Sequence, residues 1–247
     1  GLASGCSPRF RRRFLGTHFF NPPRYTRLLE LVPGPETDQG AVSWLEAYAG
    51  RHLGKGVVVA KDTPAFIANR LGVHGFLLAF QLARELGLGV DEVDELTGPL
   101  LGRPRSGTFR TLDLVGLDVA VAVADHCYAA LTDDPERERF RVPELLRSLV
   151  TDGRLGEKSG SGFYRRADGE ILALDLATLE YRARRRLRST AVERASIETD
   201  LGRRVGALIE AAAAGSGDPG ATFVARFVLG SLAYAGRVGP EIADDVV

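Results

Sequence analysis

Methionine is absent from all 247 residues, the first position included. Gly1-Leu2-Ala3-Ser4-Gly5 is not a natural start, so the sequence reads as a fragment of a longer chain. Cysteine is scarce: Cys6 and Cys127 are too few for a disulfide framework, and no metal-ligand spacing exists. The default is therefore a reducing, cytoplasmic compartment and no metal site. Net charge is also missing, with 32 basic residues against 32 acidic ones. Nothing global calls for nucleic acid or an anionic membrane. No run approaches the roughly 20 apolar residues of a membrane span, and the start carries no charged-then-apolar signal peptide. A dinucleotide-binding G-x-G-x-x-G is lacking as well. Gly215-Ser216-Gly217 follows an Ala-rich helix rather than a strand and has no third glycine in register.

The informative stretch is Gly16-Thr17-His18-Phe19-Phe20-Asn21-Pro22-Pro23, followed by Leu28-Leu29-Glu30-Leu31-Val32. Two short apolar runs flank a turn, which predicts strands over 14–20 and 28–33. His18 and Glu30 are the only titratable residues inside the two runs and stand twelve apart, enough for a strand, a turn and a return. Paired strands could bring imidazole and carboxylate side by side. A carboxylate on one ring nitrogen fixes the tautomer and leaves the other nitrogen as a base. On the residues alone, a satisfied core histidine and an unrelated glutamate account for the spacing too.

Three further segments extend the pattern: Lys61-Asp62-Thr63-Pro64-Ala65-Phe66-Ile67-Ala68-Asn69-Arg70, the glutamate twelve after the histidine, and Lys158-Ser159-Gly160-Ser161-Gly162-Phe163-Tyr164. In this order, over roughly residues 9 to 166, they resemble the 3-hydroxyacyl-CoA dehydrogenase family. Arg105-Ser106-Gly107-Thr108-Phe109-Arg110 departs from the family's commoner apolar G-P-F loop and resembles the long forms fused to an enoyl-CoA hydratase. The resemblance implies a mainly α fold. A helical domain like the C-terminal domain of 6-phosphogluconate dehydrogenase, over 64–166, would be preceded by the last strands of a Rossmann α/β domain over 1–63. A linker over 167–190 and a second, truncated helical copy over 191–247 would follow. The implied activity is NAD-dependent oxidation of (S)-3-hydroxyacyl-CoA to 3-oxoacyl-CoA in fatty-acid β-oxidation. His18 would take the hydroxyl proton and Glu30 would orient it. Asn21 would lie on the nicotinamide side, Asn69 would touch substrate, and Lys158 would be a weaker cofactor contact. The helical domains would pair as a homodimer or as a pseudo-dimer within one chain. Two other readings stay open: an inactive dimerisation or interaction module, and a different hydroxyacid dehydrogenase sharing the helical domain.

In chain order, Arg9, Arg11, Arg12 and Arg13 with Phe10 and Phe14 read as a solvated helical turn rather than a nucleic-acid patch. Thr37 or Asp38 caps a helix over 38–53 that ends at Gly54, and residues 56–60 form a β-branched strand. Thr63 as cap and Pro64 at the first position start a helix over 64–87 with apolar residues on all sides. Helices follow near 90–98, 110–131 and 141–151. Asp168-Gly169 turns a hairpin into a strand over 171–174. Residues 181–188 are an arginine-rich linker, and helices cover 191–214 and 219–238. A weak internal echo links Phe66-Ile67-Ala68-Asn69-Arg70 to Phe223-Val224-Ala225-Arg226, and Asp91-Glu92-Val93-Asp94 to Ile242-Ala243-Asp244-Asp245. Arg226 stands where Asn69 would recur, so the second copy lacks the same site. Phe223, Phe227, Val228, Leu232 and Tyr234 are expected to pack on the helix at 64–87.

Overall fold

The computed structural model describes residues 2–21 and 23–244. Pro22 of the turn motif and Asp245 of the internal echo therefore lie outside the described residues. The chain forms two compact units, Gly1–Arg70 with Ala235–Val247, and Leu71–Tyr234.

The first unit opens with a short helix α1 (Pro8–Arg11) and the strands β1 (Leu15–Phe19) and β2 (Leu28–Pro33). Helix α2 (Gln39–Leu53) and strand β3 (Gly56–Val59) complete its sheet, ordered β1-β2-β3. β1 runs antiparallel to β2, β3 runs parallel to it, and His18 is the direct cross-strand partner of Glu30. Asp38 caps α2 by accepting the Gly40 N–H, and Gly54 ends it in the left-handed conformation, as the sequence predicts. Leu29 and Leu31 of β2 meet Val42 and Ala49 of α2 in the core.

The next helix begins later than the sequence predicts. Helix α3 is Ala68–Leu86, not 64–87. Ala65 and Phe66 lie at φ 64° and 52°, a left-handed pair that no helix accommodates. Thr63 does not cap it; its hydroxyl reaches the Lys61 carbonyl at 3.5 Å. The cap comes from far away in sequence, as described below.

The second unit continues α3 into α4 (Val90–Thr97), α5 (Phe109–Val115), α6 (Leu117–Ala130) and α7 (Glu144–Thr151). The single helix expected over 110–131 is two, because Gly116 at φ 103° breaks it. A three-stranded meander follows: β4 (Tyr164–Ala167), β5 (Glu170–Leu174) and β6 (Tyr181–Ala183). Asp168-Gly169 turns the first hairpin as expected. The stretch read as a linker, 167–190, thus carries two strands. Arg182 anchors β6 to α4 through a paired contact with Asp91, 2.9 and 3.0 Å. The helix expected over 191–214 divides into α8 (Thr190–Ala195) and α9 (Leu201–Ala213), and α10 (Pro219–Ile242) returns to the first unit.

Two buried aspartates organise the centre of this unit. Asp94 accepts the N–H groups of Thr108, Phe109 and Arg110 and the Tyr164 hydroxyl. Asp113 accepts those of Phe163 and Tyr164 at 2.8 Å. Burial pushes each carboxyl up to about 6 even so. α10 packs on α3: Tyr234 stacks on His74 with centroids 3.8 Å apart, and Arg226 pairs with Glu85 at 2.7 Å. Phe223, Phe227 and Tyr234 are buried, as predicted, whereas Leu232 is 63% exposed and faces away.

Candidate active site

His18 stands one residue before the end of β1, and β2 presents Glu30 opposite it. Antiparallel partners share a face of the sheet, so the two side chains meet. His18 Nδ1 lies 2.5 Å from Glu30 Oε2. Glu30 is fully buried, and its other oxygen accepts the N–H groups of Ile67 at 3.1 Å and Ala68 at 2.7 Å. Those are free donors at the start of α3, where a helix favours a carboxylate. Glu30 is therefore the remote cap of α3 and the partner of His18 at once.

The consequence for His18 is chemical. A carboxylate that already accepts two N–H groups offers Nδ1 an acceptor, so the ring proton sits on Nδ1 and Nε2 keeps its lone pair. Among the described residues none hydrogen-bonds Nε2. The His18 side chain is 29% exposed, flanked by the rings of Phe20 and Phe66 at 4.5 and 5.8 Å. An oriented, accessible imidazole with a buried carboxylate behind it is equipped to take a proton from a neutral substrate.

Of the other residues singled out in the sequence, Asn69 lies in the first turn of α3, next to Ala68, whose N–H binds Glu30. Asn21 sits exposed beyond β1, its carbonyl accepting the Thr26 hydroxyl at 3.4 Å. Among the hydrogen bonds of the described residues, none joins either side chain to the His18–Glu30 pair. Lys158 belongs to the second unit and forms an ion pair with Asp118 at 2.5 Å. The glycines beside it serve packing. A Cβ on Gly162 would overlap Asp113 Oδ1, and one on Gly156 would stand 2.7 Å from the Asp113 Cα. Sequence reasoning missed Asp94, Asp113 and His74. The signal available was each aspartate's spacing from the segment it serves, the start of α5 for Asp94 and of β4 for Asp113, which no local rule connects.

Two models of one family match in chain order: the 3-hydroxyacyl-CoA dehydrogenase NAD binding domain over residues 3–63, and the 3-hydroxyacyl-CoA dehydrogenase C-terminal domain over 66–166. The chain belongs to the 3-hydroxyacyl-CoA dehydrogenase family. A protein of Bacillus subtilis named as a probable 3-hydroxyacyl-CoA dehydrogenase is 43% identical over 99% of this chain and 30% of its own length. One of the same name from Deinococcus radiodurans is 50% identical over 67% of this chain and 47% of its own. The chain thus spans half or less of these relatives. The crystal structure of (S)-3-hydroxybutyryl-CoA dehydrogenase from Ralstonia eutropha aligns at a TM-score of 0.55 and 32% identity, covering 64% of this chain and 53% of that one.

Proposed function

We propose that the chain carries the proton-transfer centre of an NAD-dependent (S)-3-hydroxyacyl-CoA dehydrogenase acting in fatty-acid β-oxidation in the cytoplasm. The observation that carries this reading is the His18–Glu30 hydrogen bond, backed by the anchoring of Glu30 on the start of α3. His18 takes the hydroxyl proton of the substrate at Nε2. Glu30 holds the ring in the right tautomer and offsets the positive charge that develops on it. The accessible edge of His18 between two aromatic rings suits a flat ring bound beside it. NAD, when bound, supplies the hydride acceptor. Asn21 serves the nicotinamide side and Asn69 the substrate. Lys158 serves an anionic group of the cofactor only by exchanging its present partner, Asp118.

The second unit, in this reading, is a helical domain of the 6-phosphogluconate-dehydrogenase type. The packing of α10 on α3 supports an intrachain pseudo-dimer over a homodimer. The test uses the full reading frame that carries this chain. His18→Gln should lower kcat by about 10²- to 10⁴-fold, the range of a general base, with KM for the thioester nearly unchanged. An equal kcat in the variant would refute the assignment. A panel of CoA thioesters against free hydroxyacids separates this function from another hydroxyacid dehydrogenase. Titration of NAD against the 247-residue chain separates an enzyme from an interaction module.

A further inference from the structure

The two N–H groups that hold Glu30 lie in a segment gripped from outside. Residues 61–67 link β3 to α3 through the left-handed pair Ala65 and Phe66, a conformation that costs energy for residues with a side chain and persists only where the surroundings enforce it. Its near end is held by the last turn of α10 and the two residues beyond it. The Lys61 N–H donates to the Ile242 carbonyl at 2.8 Å, Lys61 Nζ donates to the Pro240 carbonyl at 2.8 Å and pairs with Asp244 at 3.0 Å, and Ala60 bridges Ala243. Its far end is held by the same turn. Arg70, almost fully buried, pairs with Glu241 at 3.0 Å. Between these grips stand the Ile67 and Ala68 N–H groups.

We propose that residues 240–244 are a positioning clamp for the His18–Glu30 pair. By gripping Lys61 and Arg70 on either side of the strained turn, the end of α10 fixes the two N–H donors, these fix Glu30, and Glu30 fixes the tautomer of His18. Glu241 and Lys61 are positioning residues and touch no reacting atom. The clamp rests on the function proposed above only for its catalytic consequence; its structural part stands alone. It gives α10 a role beyond packing on α3.

The test reads structure and catalysis separately. Glu241 is 56% exposed, so Glu241→Ala should fold. In the 247-residue chain, amide exchange at Ile67 and Ala68 should rise about five- to tenfold, with the amides of β1 and α2 unchanged. The ¹⁵N shifts of His18 should move toward a mixture of tautomers. Glu241→Gln, which keeps a hydrogen-bond acceptor, should restore most of both, and Lys61→Met should repeat the effect from the other grip. Unchanged exchange and unchanged His18 shifts in Glu241→Ala and Lys61→Met would overturn the clamp. In the full reading frame, Glu241→Ala should lower kcat several-fold with KM unchanged. Faster exchange with an unaltered kcat would keep the clamp and remove catalysis from the pair it holds, so the two failures are distinguishable.

Discussion

At the scale of single residues, Glu30 is the member on which the proposed proton transfer turns, because each of its oxygens has a separate partner. Glu30→Gln tests this. The amide oxygen can still accept from Ile67 and Ala68, but the amide NH₂ then faces Nδ1 and donates to it. The ring proton moves to Nε2, and the base disappears with little change in shape. Activity should fall by about 10³-fold or more, as when a triad carboxylate is replaced by its amide, while ¹⁵N spectra report the exchanged tautomer. Retention of the Nδ1–H form would contradict the assignment. The pair itself was legible in the sequence: two strands, one turn, and a histidine and glutamate alone among apolar neighbours. The anchoring of Glu30 on α3 was not legible, because it joins residues 37 and 38 positions apart.

At the scale of elements, the misplaced start of α3 comes from a cap that is remote in sequence, whereas the break in 110–131 comes from Gly116. Sequence rules look for a cap beside the helix it serves, and Thr63-Pro64 met those rules. Here α3 is capped by Glu30 and α5 by Asp94, both distant in sequence. Buried carboxylates took over the work of local caps, which left 64–67 free to adopt the left-handed turn. The K-x-G-x-G-F-Y element was legible as a motif and opaque in purpose. Its Gly162, together with Gly156 just before the element, admits Asp113 to the N–H groups of Phe163 and Tyr164. Gly162→Ala should therefore destabilise the second unit by about 3 kcal/mol through overpacking, read as a lower urea midpoint. An unchanged midpoint would show that the backbone can move aside.

At the scale of the whole molecule, stability should depend on pH through Asp94 and Asp113. Each carboxyl is raised from 3.8 to about 6 by burial, so the folded state holds its proton more tightly than the unfolded chain does. Their contribution is fully present below pH 4 and is lost as pH rises through 6, by about 3 kcal/mol apiece from the size of the shift. Burial holds His74 below its ordinary range, and its contribution runs the other way, fading as pH falls. Carboxyl ¹³C titrations resolve the aspartates individually: midpoints near 6 are expected, and midpoints near 4 would refute the shift. Phe227→Asp should cost a few kcal/mol through a buried charge, less than Phe223→Asp, because the Arg103 guanidinium lies 6.0 Å from the Phe227 ring. A melting temperature unmoved in both variants would mean that α10 is not docked on α3.

The grip of the α10 terminus on residues 61 and 70 also has a thermodynamic corollary. Coupling between two sites is reciprocal in free energy, whichever site is perturbed. A ligand that binds more tightly when Glu30 is seated on the Ile67 and Ala68 N–H groups must, by the same factor, stabilise that seating, and through the clamp it favours the hold of Lys61 and Arg70 on residues 240–244, by at most that factor. The tail of the chain then reports occupancy of a site it does not touch, and slowed exchange at the Ile242 and Ala243 amides becomes a gauge of substrate binding.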